Sequence, residues 1–393
     1  MPRTAALFRR SPNIISYWSD GGLVFHNFAT GVRITGNALT IGLLDYFDAW
    51  KPAAPLLSRG TFPQSLLKTA LRDLVRTSML QSRRRIPSVE RVMTQWSGWN
   101  PAAGFFHFST KDVPYVADHV DSLEFLRNRV ASRSVPEATK TYKGRRVVLP
   151  PIPKLGFLSK VLLGRRTWRQ FGKAPLSLNA VSALLGLTFA AHKFFDLGMT
   201  GRAMLRTSPS AGACNPIEAY VVVRQVHGMT AGIYHYAPLQ HELTRLRRTT
   251  PAMIGRHLAG QLWYGRASML VLMTAVFART EWKYPFARAY RTVLLEAGHF
   301  CQTFYLVATA LGLAPFCSSA LADSVIERDL GIDGISESVV YACGVGTRPR
   351  GVDWAPWPSG TNIATASAKT DTTVPRSAAA PASSASRPRR RGR

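Results

Sequence analysis

Three short stretches, met in chain order, carry the residue types that can do chemistry. Arg-Arg-Thr-Trp-Arg-Gln-Phe at 165–171 sets Arg165, Arg166 and Arg169 around the hydroxyl of Thr167. One segment thus offers cations and a hydrogen-bond donor to a phosphate and to an electron-rich ring. Ser-Pro-Ser-Ala-Gly-Ala-Cys-Asn-Pro at 208–216 is a tight turn of small residues, in which Pro209, Ser210, Ala211, Gly212 and Asn215 let backbone approach a flat ligand. Lys-Tyr-Pro-Phe-Ala-Arg-Ala-Tyr-Arg at 283–291 places Lys283 beside Tyr284, a pair suited to moving protons once burial lowers the lysine pKa. Together the three have the parts of a flavin site.

These stretches must be positioned by elements, and the apolar periodicity says which. Leu178, Val181, Leu184 and Leu185 fall on one side of a helix over 176–187. Strands are expected at Ala219–Val223, Gly232–Tyr236, Met269–Val276 and Val339–Val345. Between the last two, Leu294, Leu295, Gly298, Cys301, Tyr305, Ala308 and Leu311 predict a long helix over 287–311 with a broad apolar stripe. The fold class is α+β, a mixed central sheet with flanking helices.

Ahead of this half, residues 11–36 alternate polar and apolar around Gly21, Gly22 and Gly31, as short strands joined by turns do. Leu39, Leu43, Leu44 and Phe47 then mark one helix, and Leu66, Leu67, Ala70, Leu71, Leu74 and Val75 a second. Strands with short helices suit a small winged-helix-like N-terminal domain over 1–131, or equally a packing appendage, and its extension from Trp96 to Tyr115 is dense in aromatics, as a core or an interface is. Residues 132–154, rich in Pro, Arg and Lys, read as a linker, 155–354 as the main domain, and 355–393 as a disordered basic tail.

Composition narrows the function classes. The 393 residues suffice for two or three domains with their own cores. Net charge is +28, from 50 Lys and Arg against 22 Asp and Glu, which raises nucleic-acid binding. Some of that excess lies in the tail and more in Arg83–Arg85 and Arg145–Arg146, so nucleic acid is set behind other partners. Four cysteines with no Cys-x-x-Cys spacing predict no metal site and fit a reducing cytoplasm. No apolar run reaches eighteen residues, and neither a signal peptide nor a membrane span is expected.

The order of motifs over 155–350 resembles the nitroreductase superfamily, specifically the SagB/ThcOx-type FMN-dependent dehydrogenases. After the arginine motif and the Pro-Ser-Ala-Gly-Ala turn come Gly-Ile-Tyr-His-Tyr, then Lys-Tyr with Arg-Ala-Tyr-Arg, then Leu-Glu-Ala-Gly-His with Gln302 and Ala-Leu-Gly-Leu. The resemblance implies a nitroreductase-like FMN-binding fold, with Arg165 at the phosphate, Thr167 beside it and Arg169 near the pyrimidine edge, where a guanidinium stabilises anionic reduced flavin. It implies that Pro209, Ser210, Gly212 and Asn215 cover the flavin from the opposite chain of a homodimer. Cys214 departs from the larger residue common at that place. Lys283 and Tyr284 stand where the base of azoline oxidation is implicated, and Ser318 and Ser319 lie on a loop near the ring's N5 side. The resemblance further implies a winged-helix-like peptide clamp, and a precursor peptide or biosynthetic proteins as partners. Two other readings stay open, an NAD(P)H-dependent nitro or quinone reductase and a non-catalytic scaffold binding peptide or nucleic acid.

Overall fold

The computed structural model describes residues 6–351 apart from 20, 59–61, 116–118, 141 and 251. The expected tail at 355–393 lies outside the described residues. Six antiparallel strands form the main sheet, in the spatial order Glu242–Arg248, Gly232–Ala237, Ile217–Val223, Met269–Val276, Glu337–Gly346 and Ala314–Ser318. Met269–Val276 sits in the middle, pairing Val271 with Val221 on one side and with Cys343 on the other. Its sequence, apolar but for Thr274, follows from burial on both faces.

Alternation along these strands divides the core in two. Val221, Val271 and Cys343 face the long helix Tyr290–Ala310 and the helix Leu178–Phe189, meeting Phe300, Phe304 and Leu184. Val222, Leu270, Leu272 and Ala342 face the other way, onto Ile254, Leu258, Tyr264 and Phe316. Tyr264 and Phe316 stack with ring centroids 4.0 Å apart. A central sheet with flanking helices is the α+β architecture that the apolar periodicity predicts, and all its strand pairs are antiparallel.

The long helix corrects the expected stripe. Cys301, Tyr305 and Ala308 are buried, but Leu295 is 61% exposed, and Leu294 and Leu311 also reach the surface. The core side instead runs through Val293, Glu296, Ala297, Phe300 and Phe304. A carboxylate therefore points inward while two leucines point out.

The N-terminal region consists of small sheets and helices. Ile14–Ser19, Gly22–Asn27 and Val32–Gly36 form a meander. Asn37 caps the next helix, Ala38–Tyr46, by accepting from the Thr40 amide at 3.0 Å. Leu67, Leu71 and Leu74 of the helix Gln64–Arg76 close a local core with Phe25, Leu43, Leu44 and Phe47; Leu66, expected on that face, is exposed. The aromatic extension leaves this module for the main core: Trp96 and Trp99 are fully buried against Phe277 and Tyr290. Lys111 and Glu327, paired at 2.6 Å, fasten the same segment to the helix Asp323–Leu330. Among the described residues no helix is long and apolar enough to cross a membrane.

Candidate functional site

The helix Phe157–Gly164 stops where Arg165 turns extended, and the chain then crosses the edge of the main sheet. The Trp168 amide donates to Pro315 O at 2.8 Å and the Gly172 amide to Thr347 O at 2.7 Å, so backbone fixes the segment between two strand ends. Within it, the hydroxyls of Thr167 and Tyr305 are hydrogen-bonded at 2.9 Å. The Arg165 guanidinium lies 5.3 Å from the centroid of the Tyr305 ring. Arg169 hydrogen-bonds Tyr264. Arg166 turns back onto the carbonyls of Leu163 and Arg165, both at 2.8 Å. Arg348 lies over the Trp168 ring. Ser318 is next to this group, its Oγ accepting from Gln261 Nε2 at 3.0 Å, and the Ser319 carbonyl accepts from the Tyr115 hydroxyl at 3.3 Å.

The second motif folds into a turn whose backbone is left-handed at three places: Gly212 with φ 59°, Ala213 with φ 56° and Asn215 with φ 49°. The latter two conformations are costly for residues with a Cβ and are held by local bonds. Asn215 donates from its amide to Ser210 Oγ at 2.9 Å and from Nδ2 to Ala213 O at 2.9 Å. Its Oδ1 is buried without a hydrogen-bond partner in the structure. The third motif closes on this turn. Lys283 Nζ donates to Gly212 O at 2.8 Å, and a Cβ on Gly212 would collide with the Tyr284 hydroxyl. Both Lys283 and Tyr284 are half-buried. Beside them a cavity of about 560 Å³ is lined by Gly212, Cys214, Arg279, Trp282 and Lys283, with Gln95 supplied by the N-terminal region.

Charges around the turn form a network that the sequence did not single out. Arg279 donates to Asn215 O at 3.0 Å and pairs with Glu218 at 2.6 Å. Glu218 also meets His235 at 2.9 Å, and that hydrogen bond raises the histidine pKa. Burial pushes Glu296 up to about 7, against a hydrogen bond from Ser210 and the nearby Arg206 and Arg279, and its Oε1 has no hydrogen-bond partner. His299 Nδ1 lies 3.3 Å from Pro209 O. Glu296 and His299, three residues apart on the long helix, thus each face the 208–216 turn. The one advance signal was a glutamate and a histidine within a largely apolar helix.

The structure therefore gathers the predicted residues into two groups. Ser210, Gly212, Asn215, Lys283 and Tyr284 meet beside Glu296 of the long helix; Arg165 and Thr167 sit on Tyr305, while Arg169 bonds Tyr264 and Ser318 accepts from Gln261. Nine residues separate Glu296 from Tyr305, which is about 13.5 Å along a helix axis and roughly half a turn around it. Among the described residues no cluster of three or more His, Cys, Asp or Glu could hold a metal.

The Nitroreductase family matches residues 162–347. The chain is 35% identical over 190 residues to a Methanocaldococcus jannaschii protein whose name describes it as a nitroreductase, covering 47% of this chain and 89% of that one. It is 30% identical over 179 residues to the trifolitoxin-processing protein TfxB of Rhizobium leguminosarum bv. trifolii, covering 43% of this chain and about half, 48%, of that relative. Among solved structures, a chain of the E. coli microcin synthetase McbBCD complex with truncated pro-MccB17 bound is 22% identical, with a TM-score of 0.39. That match covers 59% of this chain and 95% of the other.

Proposed function

The chain belongs to the nitroreductase family, and from that premise we propose that it is an FMN-dependent oxidoreductase of the SagB type, active as a homodimer, that oxidises azolines to azoles in a ribosomally made peptide. The observation that carries this reading is the joining of two motifs 71 residues apart: Lys283 donates to the carbonyl of Gly212, and Tyr284 fills the space a side chain at Gly212 would need. Lys283 and the backbone cradle at Gly212 line one cavity, and Tyr284 packs against that turn.

The residues fit FMN. Arg165 and Arg169 supply the guanidinium chemistry that a phosphate and the pyrimidine edge of a flavin require, and Thr167 adds a hydroxyl. The Gly212 turn presents bare backbone, and Asn215 Oδ1 is a buried acceptor awaiting a donor. Ser318 and Ser319 would offer backbone donors near the ring, and Pro209 and Ala211 would complete the wall. When bound, the flavin supplies hydride acceptance.

The placement of the two groups on opposite sides of the long helix supports a dimer in which each site takes Arg165, Thr167 and Arg169 from one chain and the 208–216 turn from the other. Leu294, Leu295 and Phe286, together with Leu163 at 76% exposed, offer apolar surface for that contact. In this arrangement Lys283 and Tyr284 take the carbon-bound proton of the azoline, while Glu296, held up at about 7, stays largely neutral beside the turn below that pH. The name of the trifolitoxin-processing relative supports a peptide substrate, and the Gln95 that the N-terminal region supplies to the cavity supports a role for that region in presenting it.

The test is anaerobic mixing of the purified flavoprotein with an azoline-containing peptide. Bleaching of the flavin band together with loss of two hydrogens from the peptide is the expected result. Bleaching by NAD(P)H with no response to the azoline would replace this reading by a nitro or quinone reductase.

A further inference from the structure

Three of the four cysteines converge where the last two strands meet the long helix. Cys317 and Cys343 are register partners on the strands Ala314–Ser318 and Glu337–Gly346, and Cys301 comes down from the helix. They are not equivalent. The sulfur of Cys317 accepts from the Tyr341 hydroxyl at 3.0 Å and from the Tyr305 hydroxyl at 3.5 Å, and the Cys301 thiol also hydrogen-bonds it. Three donors on one sulfur is an arrangement for a negative atom. Cys301 and Cys343 are buried, whereas Cys317 is half-buried.

We propose that Cys317 is a peroxide-reactive thiolate and that Cys301 is its resolving thiol, a reversible modification site beside the Arg165–Arg169 segment.

Every element packed against Cys317 contributes to its charge state. The Cys301 thiol lowers its pKa most. Burial opposes that, and the Tyr305 and Tyr341 hydroxyls and the Arg165 guanidinium lower it further, leaving Cys317 at about 6. Tyr264 and Cys343 face it as neutral groups, their own pKa values pushed up by burial. Burial likewise raises Cys214, the other half-buried thiol, although Lys283 stands near it. A thiolate at neutral pH is the nucleophilic form, so Cys317 is the thiol singled out for reaction.

In the first step the Cys317 thiolate attacks one oxygen of a hydroperoxide. The S–O bond forms, the O–O bond breaks, sulfur is oxidised to the sulfenic acid and the peroxide leaves as hydroxide or alkoxide. In the second, Cys301 gives its proton to the departing oxygen and attacks the sulfenic sulfur, so that an S–S bond forms, the S–O bond breaks and water leaves. A thiol or dithiol reductant reverses the change. The oxidation has a reach beyond the sulfur, because the same Tyr305 hydroxyl that donates to Cys317 accepts from Thr167. Removing the negative sulfur removes the acceptor that orients Tyr305, and with it a hydrogen bond holding the arginine segment.

The inference stands apart from the flavin reading, because it is read on the thiols themselves. The full chain as purified is alkylated with iodoacetamide between roughly pH 5 and 9, and each cysteine is mapped by mass. Cys317 should label first, with a midpoint near 6, and Tyr341→Phe should move that midpoint up by about one pH unit. Hydrogen peroxide should give a Cys301–Cys317 cross-link in wild type, and in Cys301→Ser a sulfenic acid at Cys317 trapped by dimedone. A Cys317 midpoint at about 8.5, the value of a free thiol, would overturn the proposal. So would peroxide modification falling on Cys214.

Discussion

The indole Nε1–H of Trp99 donates to the backbone carbonyl of Tyr284 at 2.9 Å. A fully buried residue from the N-terminal aromatic extension thus holds the backbone of the candidate catalytic pair. Trp99→Phe should cost about 2–4 kcal/mol through the lost bond and the space left behind. It should also lower turnover at constant flavin content, measured by thermal unfolding and by rate per bound flavin. Unchanged turnover would mean that Trp99 serves packing alone.

Sharing of the site between chains predicts complementation. Arg169→Ala and Gly212→Val should each lose flavin as homodimers. Co-expressed, they should regain about a quarter of the wild-type flavin, since half the dimers are mixed and one of the two sites in each mixed dimer is intact. Flavin content of the unselected mixture measures this, and selecting the mixed dimers through two different tags should raise it to about half of wild type. No recovery would place both groups in the same site of one chain.

Glu296 sets a pH dependence whose sign can be worked out. Its folded pKa, raised by burial to about 7, exceeds the ordinary value of 4.5. The unfolded chain therefore loses this proton first as pH rises. The stability contribution is complete below about 4.5 and is lost as pH climbs through about 7. Glu296→Gln should flatten the fall in Tm over that window and leave acid behaviour unchanged.

His107 works in the other direction. Burial holds it down to about 3, and its Nδ1 meets the Tyr290 hydroxyl at 2.9 Å. Its contribution is present above the ordinary 6.5 and is lost as pH falls toward about 3. His107→Gln, which cannot take the proton, should reduce acid sensitivity in a Tm series from neutral pH downward.

What could be read in advance follows from physical scale. Met269–Val276 is legible because a strand buried on both faces must be almost wholly apolar, here all but Thr274, and its expected bounds are those of the structure. Glu242–Arg248 was missed because an edge strand facing solvent carries charge in place of a pattern. Ala314–Ser318 was missed because Pro315 argues against a strand, yet an edge position tolerates it. On the long helix, periodicity fixed the extent but not the face, since Leu294 and Leu295 outweigh Glu296 on any count of apolar residues. In the site, the three motifs were visible as residue types at spacing. Their partners Tyr305, Arg279 and Cys317 were not, because only the tertiary fold brings a helix, a strand and a turn to the same atoms.

The central claim is that Arg169 belongs to a flavin site, and the most direct measurement is the absorption spectrum of the purified protein with its released cofactor identified by mass. Wild type should be yellow and release FMN, and Arg169→Ala should lose most of it while keeping a wild-type unfolding transition. A colourless wild-type protein that takes up no added FMN would contradict the account.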